Sequence, residues 1–353
     1  MKKIPVKELR KKTQEVSGIH LFGRYNEMEH YNRHRRTIQM EVRRYTYEEM
    51  PEFTEEIEGV STISTTGDEV QVNYYKDEEY LEVNGTRLHL QILIPASRKD
   101  GFMPFAPKQN FARPCFVFVQ GSGWMKQYVY ANLTNVANLA KRGYVCAIVE
   151  YRHSGIAYFP AQADDALNAV RFLRKNHEKY GIDPDRMILA GDSSGGHTAV
   201  WGGMLHNDES EQNLFPGVSG EVCGIVDYYG SVSVMAPDSN PQTVSHCLPD
   251  SPEGRVMGNK NLLEDDMKLA KVLSAETNID ENTKIAPMLI FHGTKDRTVN
   301  CTGSVALYRR LKETGHDATL YLVKGADHGG PEFWKEEILD IVEAFMKKCF
   351  ETK

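Results

Sequence analysis

The sequence predicts an α/β protein built on a mostly parallel central sheet with helices on both faces. Three observations carry this expectation. Short continuous apolar runs recur from Cys115 onward, amphipathic helical patterns separate them, and compact turns rich in glycine follow several of the runs.

Taken in order, residues 1–60 are rich in charge and aromatics, as in Tyr31-Asn32-Arg33-His34-Arg35-Arg36, and show neither strand nor helix alternation. They read as an N-terminal extension, with residues 61–353 as the folded domain. The charge run reads as a solvated face. The aromatics suit packing on the domain or on another subunit, so a homo-oligomer is among the expected assemblies.

Val70 to Tyr75 and Leu88 to Ile94 read as antiparallel strands, with a turn at Asn84-Gly85. Further strands are expected at Cys115 to Val119, Tyr144 to Val149, Met187 to Ala190, Val222 to Tyr228, Pro287 to Phe291 and Ala318 to Val323. A helix is expected over Ala161 to Lys175. Another is expected from Glu332 to Lys348, where Trp334, Ile338, Ile341, Val342 and Phe345 recur at helical spacing. The alternation breaks between Gly230 and Ile285, which holds one short helical pattern near Leu262 to Ser274. The interval 231–285 therefore reads as a small cap insertion at the carboxyl edge of the sheet, where such folds bind ligands.

A net charge of -7 speaks against a general nucleic-acid binder, which needs clustered Lys and Arg. No apolar run is long enough to span a bilayer, and the basic start lacks the apolar core of a secretory signal. The six cysteines are scattered without metal-ligand spacing, as expected of reduced thiols in a cytoplasmic protein. No membrane partner, metal or organic cofactor is expected.

The chemistry centres on Gly191-Asp192-Ser193-Ser194-Gly195, directly after the apolar run Met187 to Ala190. A serine in a sharp strand-to-helix turn presents its hydroxyl, and small neighbours make that turn feasible. A hydroxyl needs a base to take its proton and a third group to hold that base. Asp296 and His328 each follow a strand, on the same sheet edge as Ser193. His197, His292 and Asp327 compete for these roles, and choosing His292 with Asp327 would reverse the order of acid and base along the chain. An oxyanion needs fixed N–H donors. Ser194 follows the nucleophile, and a second donor belongs to the loop Gln120-Gly121-Ser122-Gly123-Trp124.

These motifs, together with Gly196 and Tyr151-Arg152, resemble the α/β-hydrolase superfamily over about Leu93 to Phe350. They are most similar to its carboxylesterase, hormone-sensitive-lipase-like and carbohydrate-esterase branches. The resemblance implies the α/β-hydrolase fold and a catalytic triad of Ser193, Asp296 and His328. It also implies oxyanion donors at Ser122, Gly123 and Ser194, and an acyl pocket lined by Trp124. Gln120 departs from the usual His-Gly-Gly-Gly loop. The implied activity is hydrolysis of short-chain or aryl esters through an acyl-enzyme, with acetyl or feruloyl groups on oligosaccharides as substrates. A prolyl-oligopeptidase-like peptidase and a non-catalytic binding protein on the same scaffold are the alternatives.

Overall fold

The computed structural model describes residues 45–98, 112–206, 212–236, 243–264 and 267–351. The chain divides into two compact units, Met1–Ile63 and Ser64–Lys353. In the first, Thr46 and Glu49 close a turn by exchanging side-chain-to-backbone hydrogen bonds of 2.9 and 3.2 Å. The basic and aromatic run Tyr31 to Arg36 lies outside the described residues.

The second unit opens with a hairpin of β1 (Val70–Val83) and β2 (Thr86–Ser97). Asn84 and Gly85, both at positive φ, form its turn, which matches the right-handed twist of the flanking strands. Then come β3 (Arg113–Val119), α1 (Leu133–Lys141), β4 (Val145–Val149), α2 (Ala161–Lys175), α3 (His177–Tyr180), β5 (Ile182–Asp192) and α4 (Ser194–Met204). The remainder is β6 (Gly224–Tyr228), α5 (Pro252–Val256), α6 (Lys268–Leu273), β7 (Met288–Gly293), α7 (Thr302–Glu313), β8 (Ala318–Val323) and α8 (Glu336–Glu351). The strands form one sheet in the order β1-β2-β4-β3-β5-β6-β7-β8. The pairings from β4 through β8 are parallel, and those of β2 are antiparallel. This is the α/β-hydrolase fold that the motifs imply.

The strand side chains alternate between two cores. Val117, Val119, Leu189 and Ile225 pack with residues of α2, α4 and α7, including Val170, Val200 and Leu307. Phe116, Phe118, Ile188 and Val226 face α1 and α8, meeting Leu139, Leu339 and Val342. Both faces are thus covered, which is why these strands read as unbroken apolar runs.

The last helix begins later than its apolar spacing predicts. Pro331–Trp334 forms a separate 3-10 turn, Lys335 is extended, and α8 starts at Glu336. Trp334 is still buried against Phe118, at 5.5 Å between ring centroids, so it keeps its apolar role without belonging to the helix.

Described residues of the interval 231–285 contribute to the core. Val232, Val256, Leu262, Leu273, Ala275 and Ile279 are all buried in the cluster shared with α2 and α4. The Leu273 carbonyl accepts from Trp201 Nε1 at 3.2 Å and lies 3.0 Å from His197 Nε2, which fastens this segment to α4. Burial pushes the His197 imidazole down to about 4, so it serves as a neutral donor.

Candidate active site

Ser193 sits where β5 turns into α4, at φ 52° and ψ -124°. A non-glycine residue held at positive φ costs about 1–3 kcal/mol and persists only when its surroundings enforce it. Here they do. The Ser193 N–H donates to the Tyr228 carbonyl at 2.9 Å, tying the turn to the end of β6. A Cβ on Gly191 would collide with the Gly195 carbonyl, and one on Gly195 with the Val119 carbonyl, so the elbow closes only with glycine at both positions.

The turns carrying the other two residues are lashed together. Thr294 N–H donates to the Val323 carbonyl at 3.1 Å and Lys295 N–H to the Ala326 carbonyl at 2.9 Å. Asp327 accepts from the Arg297 N–H at 3.0 Å, the Arg297 side chain and the His328 N–H at 2.9 Å. These bonds, led by that of the Arg297 side chain, hold its carboxyl down to about 2. Asp327 therefore staples the two turns.

The structure brings Ser193, His328 and Asp296 into one hydrogen-bonded line. His328 Nε2 is 2.8 Å from Ser193 Oγ, and Nδ1 is 2.7 Å from Asp296 Oδ2. With Nδ1–H facing the carboxylate, the Nε2 lone pair is left to receive the serine proton.

Asp296 is met by four donors. Oδ1 accepts from the N–H groups of Thr298 at 2.9 Å and Val299 at 2.8 Å. Oδ2 takes His328 and also His292, whose Nε2 lies 3.1 Å away. That same nitrogen is 3.0 Å from the Val299 carbonyl, so it carries a hydrogen, and Nδ1 lies 2.7 Å from Ser304 Oγ. Burial opposes charge on Asp296, yet the hydrogen bonds from His292 and His328 outweigh it and hold the carboxyl well below the usual range. His292, which the sequence offered as a rival base, instead braces the acid.

The oxyanion loop follows β3 and presses on the elbow. A Cβ on Gly121 would strike the Asp192 carbonyl. The Gly121 N–H donates to Asp192 Oδ1 at 2.7 Å. Burial raises the Asp192 carboxyl to about 6, against that bond. Ser122 N–H donates to Ser194 Oγ at 2.9 Å, and Tyr151 Oη lies 3.0 Å from Ser122 Oγ and 3.2 Å from Ser194 Oγ. The Ser122 donor is thus engaged. Gly123, at φ 61°, has no acceptor for its N–H among the described residues, and Ser194 opens α4, where no carbonyl within the helix reaches its N–H.

Gln120, which departs from the loop that the resemblance implies, is buried and braced. Its Oε1 accepts from Asn132 Nδ2 at 3.0 Å, and its carbonyl accepts from Gln127 Nε2 at 2.6 Å. Trp124 is 1% exposed at φ 54°, with its ring 5.0 Å from that of His197. It forms a wall of the cavity from behind, as part of the core. Arg152 is paired with the fully buried Asp165 at 2.8 Å, which anchors the chain after β4.

Ser193, His328, Gly123 and Ser194 border one cavity of about 520 Å³. Tyr229, beside it, sets its ring 5.1 Å from His328. The sequence reading passed over Tyr229, Asp192 and His292 as positioning groups. Asp192 lies inside the elbow pentapeptide and His292 is among the sequence's candidate bases, which are the local signals available. Pro252, Glu253 and His246 also reach this cavity, all from the interval 231–285.

Among the described residues, no group of three or more His, Cys, Asp or Glu is arranged to hold a metal. Nor is any helix there long and apolar enough to cross a membrane.

The BD-FAE family model matches residues 101–311. Among curated proteins, the chain is 28% identical over 243 residues to Esterase LipC of Mycobacterium tuberculosis, covering 68% of this chain and 57% of that one. It is 24% identical over 263 residues to a probable isoprenylcysteine alpha-carbonyl methylesterase of Oryza sativa subsp. japonica, covering 70% and 60%. The chain thus spans less than two thirds of the length of these curated relatives. Among solved structures, a truncated carbohydrate esterase from gut microbiota superposes with a TM-score of 0.63 at 23% identity, covering 82% of this chain and 99% of that one. A thermophilic esterase from Thermogutta terrifontis gives 0.57 at 21%, covering 80% and 96%. At these identities the structural likeness speaks for the fold.

Proposed function

The chain belongs to the BD-FAE family, and from that premise we propose that it is a serine carboxylesterase working through an acyl-enzyme. The observation that carries the proposal is the line from Ser193 Oγ through His328 to Asp296, with contacts of 2.8 and 2.7 Å.

Ser193 Oγ attacks the ester carbonyl as its proton passes to His328 Nε2. The imidazolium that forms is stabilised by Asp296, whose charge is maintained by its four donors. Negative charge on the carbonyl oxygen is met by the N–H groups of Gly123 and Ser194, with Ser122 beside them. The alcohol leaves with the proton from His328. Water then repeats the sequence on the acyl-enzyme, with His328 as base and Ser193 as the leaving group.

Acetyl or aryl acyl groups on oligosaccharides are the proposed substrates. The polar groups bordering the cavity support a hydroxylated alcohol partner, and the esterase names among the relatives support ester cleavage. The interval 231–285 acts in this proposal as the cap that shapes the cavity, since Pro252, Glu253 and His246 come from it. Cys115, Cys146 and Cys301 carry free thiols, which supports work in a reducing, cytoplasmic setting.

Hydrolysis of 4-nitrophenyl acetate, run beside an aminoacyl-nitroanilide, tests the proposal. Ester turnover without anilide turnover is the expected result. Preferential anilide cleavage favours the peptidase, and neither activity leaves a binding protein.

A further inference from the structure

Tyr151, which stands beside Arg152 just after β4, takes no part in the triad, yet its hydroxyl lies between Ser122 of the oxyanion loop and Ser194 of α4. The residue is 2% exposed. Gln127 sets its backbone, accepting from the Tyr151 N–H at 2.8 Å while its amide donates to the Gln120 and Val149 carbonyls at 2.6 and 3.0 Å. Three residues on, the Ser154 N–H donates to the Trp124 carbonyl at 2.7 Å. The chain after β4 therefore grips the oxyanion loop on both sides of Gly123.

The hydrogens of this cluster follow from the donors available. Ser122 Oγ lies 2.6 Å from the Met125 carbonyl, which only accepts, so the one hydroxyl hydrogen of Ser122 goes there. The 3.0 Å contact between Tyr151 Oη and Ser122 Oγ is then filled by the tyrosine hydrogen. Ser194 Oγ is left to donate to Tyr151 Oη across 3.2 Å, while it accepts from the Ser122 N–H at 2.9 Å. The bonds close into a ring, from Ser122 N–H to Ser194 Oγ to Tyr151 Oη and back to Ser122 Oγ, and every hydroxyl in it both gives and receives. Burial pushes the Tyr151 phenol up to about 12, so the hydroxyl keeps its hydrogen at neutral pH.

We propose that Tyr151 is a positioning residue for the oxyanion hole, whose hydroxyl fixes the loop carrying the Gly123 N–H against the helix end carrying the Ser194 N–H. The inference rests on the ester-hydrolase reading above and adds a residue to that same site. Donors stabilise an oxyanion best when they are aimed beforehand at the place it will occupy. The Ser122 N–H, engaged by Ser194 Oγ, acts as an anchor, and Gly123 beside it is left to face the substrate oxygen. Without the Tyr151 hydroxyl, the hydroxyls of Ser122 and Ser194 each lose a partner, and the separation of the two working donors is no longer fixed.

The test uses Tyr151→Phe, which keeps the ring and removes only the hydroxyl, with 4-nitrophenyl acetate as substrate and a trifluoromethyl ketone as inhibitor. The ketone adds to the nucleophilic serine and presents an oxyanion to the same donors. The variant is expected to lose about ten- to a hundredfold in kcat, less than removal of a whole donor costs. KM should stay within about twofold, because the donors meet a charge that only the transition state carries. The inhibition constant of the ketone should rise by the factor lost in kcat/KM. Ser194→Ala keeps its N–H and breaks the same ring from the helix side, so the double variant should lose little more than the more damaging single one. Ser122→Ala, which removes the hydroxyl that Tyr151 donates to, should show the same split between kcat and KM and serves where Tyr151→Phe does not fold. An unchanged kcat overturns the inference, as does a rise in KM alone or a pair of single losses that multiply in the double variant, and each of these leaves the esterase reading standing. A wild-type protein that does not cleave the ester overturns both.

Discussion

Asp296 and Glu253 are both buried carboxylates within reach of the same site, and the protein treats them differently. Asp296, on the turn after β7, receives two backbone N–H groups and two imidazoles. Glu253, on the segment between β6 and β7, has two partners on one oxygen and, among the described residues, none on the other. A carboxylate with every acceptor position filled is fixed in place and in charge, which suits a group that must orient a histidine through every turnover. The sheet edge thus carries the proposed triad, and the inserted segment borders the same cavity.

The largest effect expected from breaking this division is at the nucleophile. Ser193→Ala should lower kcat on 4-nitrophenyl acetate on the order of a million-fold; retention of near-normal turnover removes Ser193 from that role. Next comes Asp296→Asn, for which steady-state kinetics should show a loss of kcat on the order of ten-thousandfold, because the amide favours the wrong tautomer of His328.

His292→Phe removes one donor from Asp296. The variant should lose about ten- to a hundredfold in kcat/KM, the scale of one hydrogen bond to a charged group. The acid limb of its pH–rate profile should also move upward, since a less stabilised Asp296 carboxylate holds the His328 proton more tightly. A profile that does not move assigns His292 to packing alone.

The smallest effect concerns stability. Asp227, beneath the elbow, is raised by burial to about 7, with only the Gly230 N–H opposing the shift. Between about pH 4 and 7 the folded state holds a proton that the unfolded state has released, so this group's contribution falls as pH rises. Asp227→Asn has no such dependence. Its thermal stability relative to the wild type should improve from pH 5 to 7.5 by on the order of 2 kcal/mol. A difference that stays constant or declines with pH contradicts the assignment.

The strands were legible because both faces of the sheet are covered, which leaves unbroken apolar runs, and Asn84-Gly85 marked the hairpin by its backbone preference alone. The helix Ala161–Lys175 has the bounds its pattern predicts. The start of α8 was not legible, since Trp334 stands four residues before Ile338 and satisfies helical spacing while sitting in a 3-10 turn. In the site, Ser193, Asp296 and His328 were readable from their turns after strands. His292 was visible as a candidate, but its role depends on the carbonyl of Val299 and the hydroxyl of Ser304, which no spacing rule reveals. Glu253 and His246 lie in a stretch without periodicity, and their connection arises only where the inserted segment folds back against Thr298.

The central claim is that Ser193 is the activated nucleophile. The most direct measurement is mass-spectrometric peptide mapping after treatment with a fluorophosphonate, which phosphonylates an activated serine irreversibly. One adduct, on Ser193 and absent from Ser193→Ala, is the result predicted. An unmodified wild-type protein, or an adduct on another residue, contradicts the account.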